Sequence, residues 1–106
     1  MSGSRTTTKD DNLLDNVHPG AVLREDFLIG SEIPVDEVAM GAGIVREQLD
    51  AILTEKASVD ANVDLRLARY FGMSEGFFLG LQTDYDLEEE RRAHGEELAK
   101  IVRRAA

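Results

Sequence analysis

A chain of 106 residues is the size of one domain, and 42% hydrophobic with 31% charged residues is the balance of a folded soluble protein, which excludes an intrinsically disordered one. Cysteine is absent, which excludes disulfides, thiolate zinc sites and a cysteine nucleophile, and no apolar run approaches the roughly 18–20 residues of a membrane span. The formal net charge is −9 and is unevenly placed: residues 32–64 carry eight acidic and two basic side chains, a net of −6. An acidic surface keeps a small domain soluble; it also steers association with a basic protein partner.

Residues 1–17 read as a polar, flexible arm without the apolar stretch of a signal peptide. The first helix is expected to start at His18-Pro19, because proline fits the first helical position, where its missing N–H would be unpaired anyway. Val22, Leu23 and Phe27 give it an inward stripe at helical spacing, and Gly30-Ser31 end it. A second, short helix is expected from Ile33-Pro34 to about Met40, with Val38 and Ala39 inward. Asp36 and Glu37 face solvent near the positive end of its dipole.

Gly41-Ala42-Gly43 supplies a turn, and a third helix follows from about Val45 to Thr54. Leu49, Ile52 and Leu53 point inward, leaving Arg46, Glu47, Gln48 and Asp50 outward. Two short helices joined by a glycine-containing turn form a helix-turn-helix pattern, with the third helix in the DNA-reading position.

Asp60 is a natural N-cap for a fourth helix ending at Phe71 before Gly72, with Leu65, Leu67, Ala68 and Phe71 as its apolar side. Ser74 is positioned to cap a fifth helix carrying Phe77, Phe78 and Leu81. A last helical segment, Leu87 to about Arg103, carries Leu98, Ile101 and Val102, with Glu88–Arg92 and Glu96–Lys100 at i,i+4 spacing. The expected organisation is an all-α fold: arm 1–17, helix-turn-helix domain 18–86, helical extension 87–106. Phe77, Phe78, Leu81, Leu98 and Ile101 are the expected dimer interface, with core packing as the alternative for Phe77 and Phe78.

The chemistry-bearing residues point to binding rather than catalysis. His18 and His94 are far apart and lack ligands at metal spacing, so no metal is expected. His18 reads as a cap or packing residue, and His94 as exposed. No nucleophile–base order or phosphate-cradling glycine loop is present, so neither an enzyme nor a cofactor is expected. The carboxylates lie among polar residues and are expected to be solvated. Arg66 and Arg69 read as surface or ion-pairing residues.

Arg46, Gln48 and Lys56 are the DNA-contact candidates: arginine can pair with guanine and glutamine with adenine in the major groove. Glu47 and Asp50 stand on the same side. A carboxylate can accept from cytosine, but without clustered cations the phosphate attraction that dominates affinity is weak.

Several blocks resemble one family. His18-Pro19-Gly20, Leu23-Arg24-Glu25, the run from Leu65 to Gly72 (LRLARYFG), the run from Phe77 to Gln82 (FFLGLQ) and Tyr85-Asp86-Leu87 are similar to HigA-type antitoxins, the VapI group of the XRE helix-turn-helix superfamily. The likeness spans about residues 18–92. It implies a five-helix, lambda-repressor-like fold, a homodimer, inhibition of a HigB-like toxin (a small basic ribonuclease of the RelE type) and repression of its own operator DNA. The departures gather on the DNA side. Pro34-Val35 stands where the family usually has Ser-Gln. Val45 to Ile52 (VREQLDAI) replaces a sequence such as PRSRINEI, keeping Arg46. Thr54-Glu55 replaces Asn-Gly, and Lys56 follows at a commonly basic position. The expectation is a cytoplasmic antitoxin. A regulator without a toxin partner and a protein-binding adaptor that has lost DNA remain as alternatives.

Overall fold

The computed structural model describes residues 14–105; the arm reading for residues 1–13 lies outside them. Five helices form, and among the described residues there is no strand. Helix α1 is α-helical over Pro19–Val22 and winds on as a π-helix over Leu23–Ile29. Helices α2 (Val35–Ala42), α3 (Arg46–Leu53), α4 (Ala61–Phe71) and α5 (Phe77–Ala99) follow.

Local chemistry sets most of these boundaries. His18 is extended, and its Nδ1 accepts the Gly20 N–H at 2.9 Å, capping α1 with Pro19 in the first turn. The π winding answers a spacing problem in the next stretch. Leu23 and Leu28, five residues apart, are both buried, and i→i+5 bonding brings residues at that spacing onto one side. Asp60 caps α4 through its side chain, accepting from the Val63 N–H at 2.8 Å.

The core lies where α1, α2, α3 and α4 meet the start of α5. Leu23, Val38, Leu49, Ile52, Leu67 and Phe78 are each almost fully buried. Phe78 stands against Phe27 and Phe77, with ring centroids 5.2 and 5.0 Å apart. Fully burying a side chain of this size contributes about 1.5–3 kcal/mol.

Several expectations need correction. Leu65 is partly exposed, while Val63 and Asp64 turn inward with Leu67 and Ala68. Asp64 is therefore a buried carboxylate, not a solvated one: it accepts the Gly76 N–H at 2.6 Å and the Leu79 N–H at 2.8 Å. It satisfies donors at the start of α5 from a neighbouring helix, the capping role expected of Ser74. Gln82 is buried as well, accepting from the Val59 N–H at 2.8 Å and donating to Asp86 at 3.0 Å.

The expected break before Leu87 does not occur. Phe77 to Ala99 is one helix with non-helical dihedrals at His94 (φ −127°, ψ 20°). Glu88 pairs with Arg92 at 2.8 Å, but no ion pair joins Glu96 to Lys100. Residues 14–17 lie along this helix: Asn16 donates to the Tyr85 carbonyl at 2.9 Å and to Glu89 at 3.1 Å, and Arg92 donates to the Leu14 carbonyl.

Candidate nucleic-acid interface

The turn between α2 and α3 sets their angle. Gly43 sits at φ +69°, a left-handed conformation that glycine adopts without a side-chain clash. The Ile44 N–H then reaches back to the Ala39 carbonyl at 2.9 Å, closing the α2 terminus, and the Ile44 side chain is buried. Val45 is extended, and α3 starts at Arg46.

Helix α3 is held from beneath at its far end. Gly20 lies so close that a Cβ added there would stand 1.9 Å from the Ile52 carbonyl oxygen. Arg24 donates from Nη1 to the Leu53 carbonyl and pairs with Glu25 at 3.0 Å and Glu55 at 3.5 Å. A guanidinium at this end of the helix complements its dipole as well as its free carbonyls. The glycine of the HPG block and the arginine of the LRE block thus both serve to seat α3.

The outward side of α3 carries the sequence-predicted residues together: Arg46, Glu47 and Gln48 are exposed and Asp50 is half-buried. Arg46 is not free. Its Nε donates to Asp50 Oδ1 at 3.0 Å, and its Nη1 donates to Asp36 Oδ1 on α2. These bonds, Asp50 first and then Asp36, raise the guanidinium's already high pKa. Lys56 follows α3 in the next turn, exposed and without an ion pair among the described residues. Glu55 just before it is a non-glycine residue at φ +65°. Asp36 belongs to this constellation. Its position near the start of α2 marked it only as solvent-facing, since nothing local to it points to residue 46.

The other candidates separate. Arg66 donates to Asn62 Oδ1 at 2.9 Å and to the Ala42 carbonyl at 3.4 Å, and Arg69 pairs with Glu75 at 3.0 Å. Both line an open cleft of about 500 Å³ between α2 and α4. Phe78 is wholly enclosed by its own core, Phe77 and Leu81 are partly buried against that core, and Leu98 and Ile101 are exposed. His94 is exposed, with Nδ1 2.9 Å from Glu97. Among the described residues no three histidine or carboxylate side chains group as a metal site, and no helix is long and apolar enough to cross a membrane.

Known proteins share this arrangement. The chain is 32% identical over 77 residues to virulence-associated protein I of Dichelobacter nodosus, covering 73% of this chain and 71% of that one. The chain belongs to the HigA-type antitoxin family, the VapI group. Its fold is similar to the Pseudomonas aeruginosa antitoxin HigA solved with the higBA promoter. That match has a TM-score of 0.78 at 27% identity, spanning 87% of this chain and all of that one. It is also similar to PA4674 of Pseudomonas aeruginosa in complex with its operator DNA, with a TM-score of 0.79 at 30% identity over 85% of this chain and 96% of that one. No family model matches the chain.

Proposed function

We propose that this chain is the antitoxin of a type II toxin–antitoxin module, holding a small basic HigB-like ribonuclease inactive in the cytoplasm and, as a homodimer, repressing its own operon. The observation that carries this reading is the likeness of the whole domain to a HigA antitoxin solved with its promoter, which the chain matches over that protein's full length. The net charge of −9 supports a basic protein partner, since opposite potentials speed and orient encounter. The seating of α3 supports operator binding, because its outward side stands free for a major groove.

A dimer would set two copies of α3 one helical turn of DNA apart, about 34–36 Å. Leu98 and Ile101, exposed on the α5 end and the residues after it, are the interface candidates that remain open, with Phe77 and Leu81 flanking the core. Phe78 can contribute only from within.

Co-expression with the adjacent gene tests the toxin arm. The expected result is a copurifying complex whose partner cleaves mRNA only after the antitoxin is removed. A small basic neighbour that neither binds nor is restrained defeats it. For the operator arm, a duplex from the chain's own upstream region is titrated at rising salt; affinity should fall as phosphate contacts are screened. The occupied state of Arg46 favours a second reading, an adaptor that binds protein but not DNA. A copurifying toxin with no duplex binding at low salt would select it.

A further inference from the structure

The paired state of Arg46 bears on how tightly α3 can hold any duplex. Arg46 is the lone cation of α3, at its first position. Two of its nitrogens are committed to carboxylates on two different helices: Nε to Asp50 one turn along α3, at 3.0 Å, and Nη1 to Asp36 on α2. Arg46 with Asp36 and Asp50 has a net charge of −1, and the exposed Glu37 and Glu47 make the outward side of the two helices more negative still. A phosphate approaching α3 must take the guanidinium from two carboxylates and then lie beside them. Phosphate contacts supply nearly all sequence-independent affinity, so the cost falls on every duplex, operator or not.

Resting on the operator reading above, we propose that Asp36 and Asp50 form an electrostatic brake on DNA binding, holding Arg46 away from phosphate and keeping non-specific occupancy low. A chain that does not linger on bulk DNA stays available to its protein partner, because competing genomic sites outnumber the operator by many orders of magnitude. The brake belongs to the solvent side of the fold. All three side chains are about half or more exposed, so neutralising the acids leaves the packing beneath α3 intact.

The test compares the wild-type chain, the double variant Asp36→Asn/Asp50→Asn, and that double variant with Arg46→Ala added. Each is titrated with a duplex from the chain's own upstream region and with a scrambled duplex of equal length, from 50 to 200 mM salt. Circular dichroism confirms the fold of each. The double variant is expected to bind both duplexes roughly tenfold more tightly at low salt, with the slope of log affinity against log salt steeper by about 1, the signature of one added phosphate contact. Adding Arg46→Ala should remove the steeper slope and most of the tighter binding, the remainder being relief of the repulsion between the two carboxylates and phosphate. Binding by the double variant no tighter than wild type, on either duplex, overturns the brake while leaving the operator reading standing. A gain that survives Arg46→Ala undiminished also overturns it, because the acids would then act by repulsion alone, without Arg46. No binding to any duplex by any variant at 50 mM salt overturns the brake and the operator reading together.

Discussion

The two sides of the α2–α3 pair obey different constraints. The inner side is fixed by packing: Val38, Leu49 and Ile52 are fully enclosed, Gly20 meets the Ile52 carbonyl, and Arg24 closes the Leu53 end. Each inner residue has several partners that a substitution would disturb at once. The outer side carries Asp36, Glu37, Glu47 and Asp50; Asp36 and Asp50 pair with Arg46, Glu37 accepts from the Tyr70 hydroxyl, and the side is largely exposed. Exposed ion pairs contribute only about 0–1 kcal/mol each, so the fold tolerates almost any charge there. The difference shows how charge on the outer side can vary while the architecture stays: the packing of the fold and the charge of that surface draw on separate sets of residues.

Substitutions on the two sides should therefore differ widely. Phe78→Ala is expected to lose about 3–5 kcal/mol in urea unfolding through the cavity it leaves, whereas Glu47→Ala should stay within about 0.5 kcal/mol. Comparable losses for the two would erase the contrast. Asp64→Asn preserves size but turns an amide toward the Gly76 or Leu79 N–H. A loss of about 2–3 kcal/mol is expected from the broken charged hydrogen bond and its unpaired partner. Faster hydrogen exchange at those two amides should accompany it, and unchanged exchange would mean that Asp64 does not hold the start of α5.

Smaller effects probe the boundary between the sides. Glu55→Gly removes a side chain from a left-handed position and is expected to stabilise the fold by up to about 1 kcal/mol, net of its weak pair with Arg24. A lower unfolding midpoint would mean that the Arg24 pair matters more than the backbone strain.

The mildest effect is a pH dependence. Burial lowers the His18 pKa below its ordinary 6.5, against the opposing pull of Glu55 and Asp86. The unfolded chain then takes up the proton first, so His18 costs stability as pH falls through 6.5 toward its folded value. Protonation also removes the acceptor that caps Gly20. Thermal midpoints between pH 7.5 and 5.5 should fall more steeply for wild type than for His18→Asn, whose side chain still caps but does not titrate there. Equal slopes would remove His18 from the pH response.

Legibility in the sequence followed the range of each interaction. The caps at His18 and Asp60, the glycine turn at Gly43 and the inward set of Leu49, Ile52 and Leu53 were all readable, because each depends on neighbours within about one helical turn. The pairing of Arg46 with Asp50 is equally local, at i,i+4, although from the sequence Asp50 stands only as an outward acid. The second pairing of Arg46, with Asp36 across ten residues, was not readable, since an exposed acid at a helix start has an ordinary explanation in the dipole. Asp64 misled for a related reason. A carboxylate within a polar stretch reads as solvated, and only the approach of α5 supplies the two N–H groups that make its burial tolerable. Leu65 reads as inward and Val63 is left out of the apolar side because the stripe of α4 alone does not say which edge the rest of the core covers. The π winding of α1 was likewise invisible, since hydrophobic spacing was read at the α-helical period.

By itself the sequence determined the helical class, the main turn, the family and the acidic character of the outward side of α2 and α3. Those properties reside in local spacing, in motif blocks and in composition. Tertiary structure alone decided that Asp64 and Gln82 are buried polar supports, that Phe78 belongs to the protomer's own core, and that Arg46 is held by carboxylates from two helices. Each of these depends on which groups from distant parts of the chain come within hydrogen-bonding or van der Waals reach, and that is set only when the helices pack.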